Sequence, residues 1–490
     1  MLRLPLSFRT RYAAFILSYK TQEKLSKSTG KGSTSAAPPV PGSSGPASKQ
    51  ANRLRQPRNR MVEDIAEFLR IKIPSFLSRV SPEPLVEEFF RFHAVPQSIP
   101  LPEALISLGK AAGGLTISFA NTFNIPPDKT LTVLPDGYPS PSPDFPALFG
   151  PHPFPSQQSL RTLGGIRNFI ESLPGRMAVA VAISGGSSSL VADPVFPVSV
   201  EEKALMTQRL MEAGAPIEVI NNLRIHLSRI KGGGLASLLF PRPSITYLFS
   251  DIPGEAAALV GSSLMFPTQR NGPLMLQILE RWLDRIIPQS IRQALSETPL
   301  LDFSDRISPQ SLFGGIIASS ETLLPVAMKV FIEGSDWENL PRHLLTGELR
   351  GEAREAGKVL ASQILWNARR TGEGSVWLCS GETTVRMEGK KIPGRGGRSL
   401  ELGLSLAMAL SPINAAVLSL ATDGWDGNSS LAGMVATTRP LADPILAQEA
   451  SQALDSHDTA PFLERRGMAV KTGKTGSNLN DLLVVVVSDP

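Results

Sequence analysis

The run Met177–Ile183, MAVAVAI, is apolar without a break and ends in Ser184-Gly185-Gly186-Ser187-Ser188-Ser189. A strand with no polar face must be covered on both sides, which is the pattern of an interior strand in a parallel sheet. Such a sheet needs helices on both of its faces, so this stretch commits the chain to an α/β fold. Ligands in open α/β sheets lie beyond the carboxyl ends of the strands, where glycines let backbone N–H groups approach an anion. A Gly/Ser-rich turn after a strand is commonly only a turn, and the rest of the chain has to decide between the two readings.

The 490 residues, 42% of them hydrophobic, are enough for more than one domain. The net charge of +5 is unevenly placed: residues 1–60 hold twelve Lys and Arg and one acid, Glu23, and the remainder sums to −6. Basicity is therefore a property of the N-terminal arm, which argues against a nucleic-acid-binding body. The arm begins MLRLPLSFRTRYAAFILSYK, with Arg3, Arg9, Arg11 and Lys20 among apolar residues and no acid before Glu23. That pattern reads as an organelle transit peptide, with the mitochondrion preferred over another organelle or the cytoplasm. Residues 26–50 are rich in Ser, Gly and Pro and are expected to stay unpacked. No apolar stretch reaches the ~20 residues of a membrane span. A single cysteine, Cys379, rules out a disulfide framework. The expected division is a disordered basic extension over 1–60, a larger Rossmann-like domain over 61–370 and a smaller α/β domain over 371–490.

Along the chain, Met61–Ile73 and Pro84–His93 have helical spacing and read as surface helices. Leu105–Ala112, LISLGKAA, reads as a strand running through Gly109 and Lys110 into a helix, a junction where a lysine and a helix N-terminus can hold an anion together. Pro126–Pro155 is proline-dense and reads as an irregular connection with one short strand at Leu131–Leu134; His152, between prolines, reads as a turn residue. Helices are expected over Gln158–Ser172, Val200–Gly214 and Pro216–Ser228. The last leads into Lys231-Gly232-Gly233-Gly234, a flexible cationic elbow suited to phosphate. Ile245–Asp251 reads as a strand ending in a carboxylate, Leu274–Leu295 as one long amphipathic helix, Gly314–Ser319 as a short strand and Gly351–Arg370 as a helix.

From Ser375 the rhythm quickens to strand, turn, helix, strand. Val376–Ser380 ends in Gly381-Glu382, with Thr383–Met387 as its expected hairpin partner. Gly394–Leu410 reads as a Gly/Arg loop feeding a helix, its Arg395 and Arg398 able to clamp phosphate oxygens. A buried strand closes on Asp423-Gly424 and Asp426-Gly427, paired carboxylates suited to a metal or a general base, or simply to an Asp/Gly turn. Thr472, Lys474, Thr475, Ser477 and Asn478 precede the last strand, Leu482–Val487.

The segments LGKAA, GPHPFP, ISGGSSSL, NNLRIHLSRIKGGGLA, FSDIPG, GEAREAG, CSGETTV, GRGGRSLE, ATDGWDG and TGKTGSNLNDLLV occur in that order. Together, over most of the chain from Gly109 to Val487, they resemble the type-2 glycerate kinases, formerly described as hydroxypyruvate reductases, whose C-terminal part is the MOFRL domain. The resemblance implies two α/β domains with the site in the cleft between them. It also implies ATP-dependent, Mg²⁺-assisted phosphorylation of D-glycerate to 2-phosphoglycerate. Lys110 and Arg398 are the implied active-site cations, which suits a phosphoryl transfer that rests on positioning and positive charge. Ser184, Gly185, Gly186, Ser187, Ser188, Arg224, Lys231, Gly232, Gly233, Glu382, Thr475 and Asn478 are the implied contacts to substrate or phosphate. Asp251, Asp423 and Asp426 are candidates for holding Mg²⁺ or taking the hydroxyl proton, and the sequence does not rank them; the assignment adopted is Asp423 for catalysis and Asp251 and Asp426 for the metal.

The chain departs from the family pattern at Ser187, where a glycine is usual, and at Ile225, where a lysine is usual. Further departures are Gly261–Met265 (GSSLM for ASGPT), Ser399-Leu400 (for Asn-Gln) and Ser430 (for Asp). They motivate an alternative, a diverged ligand-binding relative with weak, altered or no kinase activity. A dinucleotide-dependent reductase lacks its GxGxxG unit here. The oligomeric state is not legible in the sequence.

Overall fold

The computed structural model describes residues 58–95, 100–250, 260–283, 286–296, 303, 306–308, 310–386 and 394–489. The expected transit peptide, residues 1–57 of the expected extension and the carboxylate of Asp251 lie outside these; the last three residues of that extension instead begin the helix Arg58–Arg79.

Six strands form the first sheet: β1 (Ala104–Leu108), β2 (Thr130–Pro135), β3 (Ala147–Gly150), β4 (Val179–Ser184), β5 (Ser244–Phe249) and β6 (Ser311–Ala318). Their order is β3-β2-β1-β4-β5-β6 and every pairing is parallel. The apolar run that opened the sequence is β4, at the centre and buried along its whole length. After β3 the chain returns to the other side of β1, so the order reverses between β1 and β4. That crevice is where a doubly wound sheet binds its ligand, because the loops leaving the two strands diverge there. The proline-rich connection holds a second strand that the sequence reading missed, the short, largely accessible edge strand β3. The helix expected over Leu274–Leu295 is two, Gly272–Leu283 and Gln289–Ser296. Pro288 accounts for the break, since it lacks an N–H and disfavours helix in the residue before it.

The second sheet contains β7 (Arg342–Leu344), β8 (Ser375–Gly381), β9 (Asn414–Ala421), β10 (Gly433–Thr437), β11 (Ala469–Val470) and β12 (Asp481–Asp489), in the order β11-β10-β9-β12-β8-β7. β12 runs antiparallel to both neighbours, with Asp481 opposite Gly381 on one side and Ala421 on the other. The ends of β8 and β9 and the start of β12 therefore share one edge. Within the described residues, Thr383–Arg386 forms no hairpin with β8, which pairs instead with the distant β12 and, in parallel, with β7.

The expected boundary at residue 371 falls too late for this sheet. β7 is already part of it, and the helix Ala353–Thr371 packs on the helix Arg398–Ala409. Nor is the first helix, Arg58–Arg79, a surface element of the first domain. Its Val62, Ile65, Leu69, Ile73 and Phe76 are buried, it packs on β9 and β10, and Arg70 donates to the carbonyls of Ala469 (2.7 Å) and Gly467 (3.0 Å). Five buried apolar side chains at roughly 1.5–3 kcal/mol each are ample to hold it there. The next helix, Pro82–Phe92, sits on the first domain's Ala112–Phe123, with the Phe90 ring edge-on to Phe119 at 5.6 Å.

Candidate active site

Lys110 leaves β1 at the reversal point. Gly109 has φ +113°, and a Cβ there would fall 2.3 Å from Ser184 Oγ, so only glycine lets the β1 and β4 loops touch. The Lys110 N–H donates to the Gly185 carbonyl (2.9 Å), which fixes where the lysine side chain starts. Its Nζ crosses to the second sheet and meets Asp423 Oδ2 at 2.6 Å. Burial opposes the ammonium and so does the charge of Arg398, but Asp423 and Tyr138 outweigh both and raise the Lys110 pKa. The two implied cations thus sense one another across a single cleft.

Arg398 opens the helix Arg398–Ala409 on the opposite wall. Its Nε donates to Asp481 Oδ2 (3.0 Å) and its Nη1 pairs with Glu382 Oε1 (2.6 Å). The strand register explains this set: Glu382 follows the end of β8, Asp423 follows β9, and Asp481 starts the strand between them. Asp426 approaches the same helix start closely, since a Cβ on Gly397 would lie 2.3 Å from its carboxylate, and its Oδ2 accepts from the Leu400 N–H (2.8 Å). Asp426 therefore caps the helix that presents Arg398. Burial, then repulsion from Asp481, pushes the Asp426 carboxyl up. Burial also raises Asp481, with Glu382 and Asp423 adding to it against the pull of Arg398. One oxygen of Asp481, Oδ1, is buried without a hydrogen-bond partner.

The expected phosphate-contact residues divide. Ser184 Oγ donates to the Leu108 carbonyl and accepts from the Ala111 N–H, so it ties β4 to β1. Gly186 (φ +85°) faces the cleft: a Cβ there would come within 3.2 Å of both His152 and Lys110. Ser187 Oγ is buried without a partner, and Ser188 Oγ shares a hydrogen bond with Ser262 Oγ (2.8 Å). In the glycine elbow, the N–H of Gly233 goes to the Ser263 carbonyl (2.8 Å) and that of Gly232 to Ser262 (3.4 Å). These N–H groups serve the fold, and the expected phosphate cradle is not formed there. Lys231 is buried and donates to the Ser188 carbonyl (2.6 Å), and Arg224 lines the same small cavity behind the β4 loop. Thr475 binds the backbone of Thr422 and Asp423, holding the β9 turn in place. Asn478 is buried just ahead of β12.

Arg395 turns away from the cleft to Glu464 (2.7 Å), and Arg354 pairs with Glu401 behind it. Among the described residues no group of three or more His, Cys, Asp or Glu is arranged to hold a metal ion. No helix of the described residues is long and apolar enough to cross a membrane. The departures at Ser399 and Leu400 are buried, and Ser399 Oγ bonds Ser419 Oγ (2.9 Å) in the core rather than facing the cleft. Ile225 is likewise fully buried.

Three side chains in the cleft were not picked as site residues from the sequence. Tyr138 is buried there, and burial, the largest cause, pushes its hydroxyl up to about 12. Lys474 lies 4.4 Å from the centre of its ring and donates to the Gly137 carbonyl (3.1 Å), a second link between the two walls. His152, read as a turn residue, stands against Gly186 and Lys110. Partial burial of the ring and then Lys110 lower its pKa, while the residue as a whole remains exposed. The Pro-rich context hid both Tyr138 and His152. Asp481 was also missed, because nothing in the sequence says that the start of one strand adjoins the ends of two others.

A doubly wound parallel sheet facing a mixed sheet across paired cations and carboxylates defines a two-domain α/β enzyme with its site between the domains. Residues 70–296 match the family model DUF4147, described as a domain of unknown function, and residues 375–481 match the MOFRL family. The chain is 29% identical over 414 residues to D-glycerate 2-kinase of Thermotoga maritima, spanning 82% of this chain and 95% of the relative. It is 30% identical over 376 residues to glycerate kinase of Macaca fascicularis, spanning 67% and 93%. The crystal structure of the Thermotoga maritima glycerate kinase aligns with a TM-score of 0.69 at 26% identity, covering 87% of this chain and all of that one. The chain belongs to the type-2 glycerate kinase family.

Proposed function

We propose that the protein transfers the γ-phosphoryl group of ATP to a hydroxyl of D-glycerate, giving 2-phospho-D-glycerate and ADP. The observation that carries this reading is the approach of two cations from opposite domains, Lys110 paired with Asp423 and Arg398 paired with Asp481 and Glu382, close enough for Arg398 to oppose the Lys110 charge. Phosphoryl transfer asks for little covalent chemistry and much fixed positive charge around the moving group. In the proposed step the substrate hydroxyl oxygen bonds to the γ-phosphorus while the bond to the β,γ-bridging oxygen breaks, and the electron pair leaves with ADP. Lys110 and Arg398 neutralise the transferring oxygens. Asp423, hydrogen-bonded by Lys110 and by the Trp425 N–H (3.1 Å), accepts the hydroxyl proton.

Mg²⁺ is expected as the companion of ATP, and the residues present fit it: Asp426 and Asp481 are buried carboxylates with raised pKa values, and Asp481 Oδ1 lacks a partner. These two would hold it, and it would supply charge neutralisation to the phosphates. Import into the mitochondrion is supported only by the basic, acid-poor start of the chain. A fluorescent fusion with and without residues 1–60 tests it, since import requires the longer form alone to enter the organelle.

Purified protein with ATP, Mg²⁺ and D-glycerate should form ADP, and enolase should consume the product without added phosphoglycerate mutase. Product that enolase takes only after mutase treatment would mean the 3-phosphate. Absence of ADP in conditions where a related kinase turns over would remove the reading and favour the ligand-binding alternative.

A further inference from the structure

Behind the β4 loop lies a small cavity lined by Lys203, Arg224 and Lys231 together with Ser188 and Thr207. Lys203 and Lys231 are almost completely buried, at 1% and 2% exposure. Each ammonium has three donors, and the structure gives each one acceptor: the Leu227 carbonyl for Lys203 (3.1 Å) and the Ser188 carbonyl for Lys231 (2.6 Å). Arg224 reaches only Asn221 Oδ1, at 3.4 Å. Among the described residues none of the three has a carboxylate within ion-pair distance. Asp193, whose charge Lys203 senses, is already held by Arg167 (2.8 Å) and Arg229 (2.6 Å).

Three cationic side chains around one cavity, two of them cut off from solvent, are costly to keep charged unless an anion completes the set. Burial, then neighbouring positive charge, drives the pKa of both lysines well down, which is the strain expected of cations facing no counter-charge. On its cleft side the cavity is bounded by Pro153 and Pro155, just after His152, and His152 senses both Arg224 and Lys110. The cavity and the proposed transfer site are therefore neighbours. Its room, about 10 Å³, takes a single oxygen-sized group. With the phosphoryl group assigned to the neighbouring transfer site, the anionic group left for this cavity is the acceptor's carboxylate, entering by one oxygen.

We infer that Lys203, with Arg224 and Lys231, forms the pocket that receives the carboxylate of the acceptor substrate, and that Lys203 is a specificity-determining residue. The inference rests on the glycerate reading above, to which it adds the means by which a hydroxy acid is told from a plain polyol. Entry of the carboxylate restores the lysines to their charged forms, so binding takes up protons from solution.

The test is calorimetric titration of the full-length protein with D-glycerate, and separately with glycerol, in HEPES and in Tris at one mildly alkaline pH, for wild type and Lys203→Met. A methionine in place of Lys203 preserves volume and removes a buried amine with one hydrogen-bond acceptor, so the variant should fold with an unchanged or higher melting temperature. Wild type should bind D-glycerate with net proton uptake, seen as a buffer-dependent heat, and should bind glycerol at least ~100-fold more weakly, as expected when a site's charged groups are left unpaired. Lys203→Met should raise Kd and KM for D-glycerate by ~10–100-fold, reduce the proton uptake, leave KM for ATP within about two-fold and lower kcat less than it raises KM. If wild type phosphorylates D-glycerate and Lys203→Met has the same Kd, KM and proton uptake, the pocket inference fails and the kinase reading stands. Lys203-dependent binding of D-glycerate without any ADP formation leaves the pocket and removes the kinase reading. A wild type that does not bind D-glycerate at all overturns both.

Discussion

Among the described residues, two groups of buried or half-buried cations differ in company. Lys110 and Arg398 lie between the domains, and each is matched by carboxylates of the second sheet: Asp423 for the first, Asp481 and Glu382 for the second. Lys203, Lys231 and Arg224 lie within the first domain, and the carbonyl and amide oxygens they touch carry no charge. A matched cation can exchange its carboxylate for a phosphate as the group moves, so it suits a changing charge. An unmatched set suits a fixed charge brought by the substrate, and the two behaviours should separate on substitution.

Lys110→Met should have the largest effect, lowering kcat by ~10³-fold, because it removes a preorganised donor from the transferring group. Steady-state kinetics on a variant with wild-type melting behaviour checks this, and a loss smaller than ten-fold would mean that the matched pair is structural. Arg398→Lys keeps the charge but cannot span Asp481 and Glu382 with one planar fork, so kcat should fall by ~10²-fold. Equal rates for the two would show that charge alone matters at this position.

Asp426→Asn probes the acids on the same wall. Burial and Asp481 raise the Asp426 carboxyl, so the folded protein holds a proton that the unfolded chain, with an aspartate near pKa ~3.9, has already released. Stability therefore falls as pH rises from that value through the raised one. The asparagine removes this slope, while its oxygen can still accept from the Leu400 N–H. Melting curves from about pH 5 to about pH 8 should be flatter for the variant, with a gain of a few degrees at the upper end; curves that run parallel to wild type would sink the assignment. Smallest of all, Arg395→Ala should leave kcat within about two-fold, since exposed ion pairs contribute little and Arg395 faces Glu464 outside the cleft.

The first domain was far more legible in sequence than the second. β4, β5 and β1 announce themselves as apolar runs, and a parallel sheet places the loop after each of them on one rim, so the residues beside Gly109 and Gly186 follow from local pattern. The second sheet mixes strand directions. Asp481 reaches Arg398 because β12 runs against β8 and β9, and no local pattern encodes that pairing. The glycine elbow misled for a related reason: Gly232 and Gly233 have φ of +60° and +94° and do form a tight turn, but their N–H groups go to the Ser262 and Ser263 carbonyls. A glycine-rich turn looks the same whether its donors face a ligand or another loop. The helix Arg58–Arg79 was placed on the wrong domain because an amphipathic pattern states that a face is buried, without stating against what.

The described chain passes between the two domains at two places, Ser81 at the head of Pro82–Phe92 and Ser319 at the head of Ser320–Phe331. Phe76 and Phe331, from the helices on the second-domain side of the two crossings, pack at 5.3 Å, and one apolar cluster contains residues of both sheets, among them Tyr247 and Leu418. A chain that crosses twice over a shared apolar layer ties the wall bearing Lys110 to the wall bearing Arg398, so the spacing of those two cations is set by the core behind them rather than by the loops in front.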